Sequence, residues 1–306
     1  MTIGDSNTRS TVQGLQSDAL LAAFQAAIGG KPDVLELLLC RAAGWPGGKM
    51  NFKLAAAFGV QVGESKGNVL PLLERFSDDD APTNTPRVFL PVAAVYGWAA
   101  LLRAEREQEA AWLRVCELGS DGRQPIRLAA IEALTALSTQ KGGADRLLSR
   151  GELWFDIDDR DLRFGAAALV LDVFGSDQVM SVLRDHEGLR TYLSRVIDEI
   201  GDAPRAAERS ETRRRALLSL PRALTVAAGR MPGDSAEAWL IEECTKAKHP
   251  RVREALSNTI VMMRKTAQKP LADTLSKILE GSAAPRRDPT QQRKGTGRGK
   301  STRRIR

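Results

Sequence analysis

Apolar positions along this chain return every three or four residues between polar breaks, and no stretch shows the strict alternation of a half-buried strand. The spacing predicts a first helix over SDALLAAFQAAIG, with Ser17 able to cap it and Gly29 and Gly30 to end it. Pro32 and Asp33 then open DVLELLLCRAA, where a proline in the first turn costs little because its missing N–H has no intrahelical partner in any case. The breaker GWPGGK separates that segment from NFKLAAAFGVQVGE and NVLPLLERF. SDDDAPTNTP, Ser77 to Pro86, is a loop by composition, and helical periodicity resumes from Val88 to Gln108.

The second half repeats itself. In PIRLAAIEALTAL (Pro125 to Leu137), DLRFGAAALVLDV (Asp161 to Val173) and RVREALSNTIVMM (Arg251 to Met263), aligning Arg127, Arg163 and Arg253 brings apolar residues into register. Ile126, Leu162 and Val252 precede the arginine; Ala130, Ala166 and Leu256 follow three later, Leu134, Val170 and Ile260 seven later, and Leu137, Val173 and Met263 ten later. Slots at that spacing lie on one helix face, so each segment is expected to bury the same stripe. RRRALLSLPRAL is a weaker fourth copy aligned on Arg214: it supplies Leu217 and Leu224 but puts Arg213 and Pro221 where apolar residues belong. The four arginines are 36, 51 and 39 residues apart, and each interval has room for a preceding apolar helix: AAWLRVCELG before the first, then ADRLLSRGELWF, QVMSVLRDHEGLRTYLSRVIDEI and SAEAWLIEECTKA. A helix pair repeated at this period cannot hide its apolar face alone, and stacking on the next pair supplies the partner.

These residues resemble the HEAT-repeat family, in which an apolar first helix, a polar turn and a second helix opening near a Val-Arg pair recur. Asp121 with Arg127 has the family's turn acid and helix cation six residues apart, and HPRVREAL from His249 matches the start of its second helix. Asp158 departs by lying five residues before Arg163, and Glu208 stands where the fourth copy's aspartate belongs. The resemblance covers about residues 104 to 265. It implies an all-α, right-handed solenoid whose repeat arginines bond to turn acids and carbonyls of adjacent repeats instead of forming a row of cations along a groove. The expected organisation is a flexible N-terminus at 1–16, a helical region at 17–103 continuous with the solenoid, HEAT-like repeats at 104–281 and a disordered basic tail at 282–306.

Charge separates that tail from the body. The chain's formal net charge is +7, yet Arg286, Arg287, Arg293, Lys294, Arg298, Lys300, Arg303, Arg304 and Arg306 face Asp288 alone, a net of +8, which leaves −1 for residues 1–284. Such a segment has too little apolar surface to offset the entropy of folding. It is expected to contact phosphates, of DNA or RNA, without reading sequence, the alternative being that it meets an acidic protein or serves solubility. Arg213, Arg214, Arg215 and Arg222 would make a second basic patch if they face solvent.

No enzyme chemistry is legible. GTGRGKST near the C-terminus looks like a phosphate-binding loop, but the first glycine of GxxxxGK[ST] should stand at position 294, which is Lys294. GWPGGKM fails likewise, with Ala43 and Met50 at the required places. DIDDRD, Asp156 to Asp161, lacks the glycine and glutamate of a calcium loop, having Asp161 and Ala167 there, and is expected to be a turn capping the next helix. With two histidines, His186 and His249, zinc catalysis has few ligands to draw on, so neither metal nor cofactor is expected. Cys40, Cys116 and Cys244 are odd in number and lack a CxxC pair, which points to buried thiols in a reducing compartment. The opening residues have no apolar h-region, and the longest uncharged run, Val88 to Leu102, is too short to span a bilayer. The expectation is a cytoplasmic, non-enzymatic scaffold that binds a protein partner on a concave face, with nucleic acid held through the tail and no membrane contact. The rival reading comes from the resemblance, since some HEAT-like proteins are alkylpurine DNA glycosylases; Trp154, Asp156, Arg163 and Trp239 are the residues this chain would offer.

Overall fold

The computed structural model describes residues 18–281, apart from the Arg205 side chain. The expected flexible N-terminus, the Ser17 cap and the basic tail lie outside the described residues. Every regular element among those described is helical. The first five helices are α1 (residues 18–28), α2 (Asp33–Ala42), α3 (Phe52–Glu64), α4 (Leu70–Ser77) and, after a 3-10 turn at Pro86–Val88, α5 (Phe89–Arg103). Asn51 caps α3 by accepting from the Leu54 amide at 3.1 Å.

The long uncharged run forms α5, which is buried from Phe89 to Leu102 except for half-buried Tyr96. A helix that is apolar on all sides needs cover on all sides. It is supplied by α2, α3, α4 and the two helices that follow. Gly59 lets α3 come close, because a Cβ there would lie 2.8 Å from the Tyr96 carbonyl oxygen. No helix among the described residues is long and apolar enough to cross a membrane. The loop after α4 is pinned, as Arg123 donates to the Asp79 and Ala81 carbonyls at 2.7 and 3.0 Å. Buried Glu36 joins the same corner by pairing with Arg75 at 2.6 Å and Arg87 at 3.4 Å.

The second half contains α6 (Gln108–Ser120), α7 (Gln124–Ser138), α8 (Gly143–Trp154), α9 (Arg160–Phe174), α10 (Asp177–Met180), α11 (His186–Gly201), a 3-10 turn at Arg205–Arg209, α12 (Glu211–Arg230), α13 (Gly233–Lys246), α14 (Pro250–Met263) and α15 (Lys269–Gly281). Along one series, α5, α7, α9, α12 and α14 each pack on the next. The aligned slots form that seam: Ile126, Val252, Ala130, Ala166, Leu256, Leu134, Val170, Ile260, Leu137, Val173 and Met263 are all buried, and Leu162 is half-buried. The alternate helices are tied by a recurring device. Arg114 of α6 reaches Glu74 of α4, Arg150 of α8 reaches Glu109 of α6 at 2.5 Å, and Arg195 of α11 reaches Glu152 of α8 at 3.0 Å. Arg150 also lies over Trp112 at 6.0 Å and Arg195 over Phe155 at 4.3 Å. On α13, the Trp239 indole donates to Ser194 of α11 at 2.8 Å, and Ser194 donates to buried Glu243 at 2.7 Å.

Helix α9 is also enclosed, being buried continuously from Phe164 to Leu171 beneath α6, α7, α8 and α12. Its small residues permit this: a Cβ on Gly165 would lie 2.2 Å from Ser120 Oγ, and one on Gly119 of α6 would meet Leu169 at 2.4 Å. DIDDRD behaves as a capped turn, with Asp159 accepting from the amides of Asp161 and Leu162 at 2.8 and 3.2 Å.

Some elements differ from the sequence reading: the helical run from Val88 to Gln108 ends at Arg103, and Glu105 and Glu107 take positive φ before α6 begins. The helix expected from Gln178 to Ile200 is split into α10 and α11, because Asp145 accepts from the amides of Arg184 and Asp185 at 3.0 and 3.1 Å and Asp185 recaps the chain through Gly188. The same interruption accounts for the long 51-residue interval. In agreement with the alignment, Pro221 lies inside α12 and is buried in the apolar slot assigned to it. Helix α15 occupies the last stretch of the expected repeat region, for which the sequence reading named no individual helix.

Candidate nucleic-acid interface

The nine tail cations lie outside the described residues, so the site that can be built is the arginine cluster of α12. Ser210 caps that helix, accepting from the Arg213 amide at 3.2 Å while its hydroxyl donates to Asp161 of α9 at 2.6 Å. Successive residues on a helix diverge by about 100°, so Arg213, Arg214 and Arg215 point three ways.

Arg213 does not face solvent. It is 2% exposed, in the slot equivalent to Ile126 and Val252, and its Nη2 and Nε donate to the Ile200 carbonyl at 2.8 and 3.3 Å. That carbonyl is one of those left open at the end of α11, so the guanidinium closes a helix end. His249, the N-cap of α14, lies 3.5 Å from it. Burial followed by the charge of Arg213 pushes the His249 imidazole below its ordinary pKa. Arg214 is exposed and pairs with Glu211 at 3.4 Å.

Arg215 and Arg222, seven residues apart, share a face. Arg215 is half-buried and donates to the Gly119 and Ser120 carbonyls at the end of α6, at 2.9 and 3.3 Å. Exposed Arg222 donates to the Gly175 carbonyl at 2.8 Å. Asp172 of α9 is half-buried beside them; burial raises its carboxyl pKa, while a Ser219 hydrogen bond and the charges of Arg215, Arg222 and Arg127 pull it down. Burial first and Arg127 second push Arg215 down to about 10. Three arginines from α7 and α12 thus surround one acid, a face of positive charge that can meet phosphates through Arg222. The patch expected from sequence is divided: Arg214 and Arg222 are open to solvent, Arg215 partly, and Arg213 is enclosed.

The repeat arginines bond mainly to carbonyls. Arg127 donates to those of Asp121 and Gly122 at 2.8 and 2.5 Å, while the Asp121 carboxylate pairs with Arg123 at 2.7 Å. Arg163 meets the Phe155 carbonyl at 3.4 Å and Glu199 at 3.3 Å, and Arg253 donates to the carbonyls of Ala247 and Leu279. Of the residues considered for base excision, both tryptophans are enclosed. Trp154 is buried edge-on against Trp112, with centroids 6.2 Å apart, and Trp239 is buried on Ser194. Asp156 lies 3.6 Å from Arg195 at the surface.

Cys116 and Cys244 are buried and Cys40 is half-buried; burial raises each thiol, that of Cys244 to about 11. No group of three or more metal-binding side chains occurs among the described residues. The sequence reading missed a groove of about 860 Å³ between α1, α2 and α3, into which Leu37 and Val34 project. DVLELLLCRA has apolar residues on more than one face, Leu35 and Leu39 buried and Val34 and Leu37 exposed, but the sequence alone does not say which face lacks a neighbour. Comparison of the chain with protein-family models, curated proteins and solved structures finds no match in any of the three.

Proposed function

We infer that this chain is a binding scaffold: a HEAT-like, right-handed α-solenoid that presents a concave surface to a macromolecular partner in a reducing, cytoplasmic setting, with its basic tail attaching it to nucleic acid. The observation that best supports this is the pairing of two helix series, one sealed by the recurring apolar slots and the other tied by successive Arg–Glu pairs. Such construction gives a long surface built by addition, suited to extended partners. The tail supports the second half of the reading, because nine cations follow a body of nearly balanced charge.

The test compares the full chain with residues 1–284 for binding to duplex DNA and to RNA across a salt series. If five to nine of the tail cations meet phosphates, the logarithmic salt slope of the full chain is about −4 to −8. Truncation should remove most of it, and Arg222→Ala should lower the remaining affinity. Equal affinity and equal slope for the two chains would remove the tail from the function.

A further inference from the structure

We propose that the groove between α1, α2 and α3 is a docking site for an amphipathic helix of another protein, one that carries acidic residues beside its apolar face.

Two outer helices among the described residues differ in the face they show to solvent. Terminal elements of stacked-helix proteins need a polar outer face, since nothing further covers them. Helix α15 obeys, exposing Asp273, Thr274, Lys277 and Glu280. Helix α2 does not: Val34 is 60% and Leu37 51% exposed, beside half-buried Leu38. Val34, Leu37, Leu38 and Arg41 follow i, i+3, i+4, i+7, so they form one stripe, the pattern a partner helix packs against. Leu20 of α1 and Leu54 and Ala57 of α3 complete the groove, whose volume is about 860 Å³.

Charge identifies the occupant. The charged residues lining the groove are Arg41 and Lys53, both exposed, and no carboxylate lines it with them. Several arginines elsewhere on the body are ion-paired, Arg75, Arg87, Arg114, Arg150 and Arg195 among them. Arg41 and Lys53 form no ion pair with a described residue. An apolar floor with two cations at its rim that pair with no described residue complements a helix whose apolar face is flanked by glutamate or aspartate.

This proposal rests on reading the chain as a binding protein, yet its test does not depend on the tail. The probes are two fluorescein-labelled synthetic helices with the same leucine stripe, one flanked by glutamates and one by lysines, and a scrambled copy of the first that cannot form the stripe. Anisotropy titration against the full chain should show the glutamate helix binding about tenfold tighter than the lysine helix. It should bind tighter than the scrambled peptide too, which measures plain attraction to the basic tail. Leu37→Asp should abolish the advantage of the glutamate helix over its equally charged scrambled copy, and Arg41→Glu with Lys53→Glu should remove most of it; both changes are at exposed positions, and unchanged melting confirms the fold. Nucleic-acid affinity should be unaffected by Leu37→Asp, so the two readings fail separately. Equal binding of all three peptides, or insensitivity to Leu37→Asp, overturns the proposal. So does a dimer that Leu37→Asp dissociates, which would make a second copy the occupant, or binding that appears only after removal of residues 1–16, which would make it the chain's own N-terminus.

Discussion

Replacing Arg213 asks whether its slot or its guanidinium holds α12 in place. The side chain is 2% exposed and spends two donors on the Ile200 carbonyl. Arg213→Ala leaves that carbonyl unmet, at about 1–3 kcal/mol, and empties the space of the methylene stem at about 0.8 kcal/mol per group. The expected loss is about 3 kcal/mol, which at about 2–4 °C per kcal/mol lowers the melting temperature by roughly 6–12 °C. Arg213→Met refills the slot and removes a charge whose pKa burial has already lowered. It should recover at least half of the loss, because a buried charge without a bonded carboxylate contributes little that packing cannot replace. Thermal melts followed by helical circular dichroism read both values. An alanine variant that melts with the parent would show that the guanidinium closes nothing, and a methionine variant no better than alanine would refute the apolar slot.

The close approach of α6 and α9 gives a second expectation. Gly165→Ala gains about 1 kcal/mol of helix propensity but forces a methyl to within 2.2 Å of Ser120 Oγ, an overpacking of about 1–3 kcal/mol, so a net loss of up to about 2 kcal/mol is expected in urea unfolding. Adding Ser120→Gly should restore most of it, and a single variant more stable than the parent would contradict the contact. Glu243 gives a third. Burial raises its carboxyl pKa despite the Ser194 bond, so the folded state holds its proton more tightly than the unfolded chain, and stability falls as pH rises through the raised value. Glu243→Gln should therefore melt higher than the parent at pH 7, with the gap closing as pH falls toward 4; a gap that does not depend on pH would assign the effect to packing.

Much of the helical content was legible because the apolar period is local: the slots aligned on Arg127, Arg163 and Arg253 all lie inward, apart from half-buried Leu162. The run from Val88 to Leu102 likewise announced a helix with no solvent side, and α5 has almost none. The arginines were harder. Alignment put Arg213 in an apolar slot, but a charged residue there reads as an exception until the open carbonyl of Ile200 explains it. Arg215 bonds carbonyls some 95 residues away, a contact that depends on α12 crossing α9 to reach the end of α6 and that no local spacing encodes. The groove at α2 was invisible for the converse reason. An apolar helix is expected to be covered, and sequence does not reveal which of its faces lacks a neighbour.

The enclosure of α5 and α9 governs how the molecule comes apart. An array whose members touch only adjacent members can lose units from its ends one at a time. Here each enclosed helix is roofed by elements on both sides, so detaching either flank strips apolar surface from the middle and the remainder follows. Amide protons of α5 and α9 should consequently exchange through one shared, high-energy opening, while α15, with a single layer beneath it, breathes on its own.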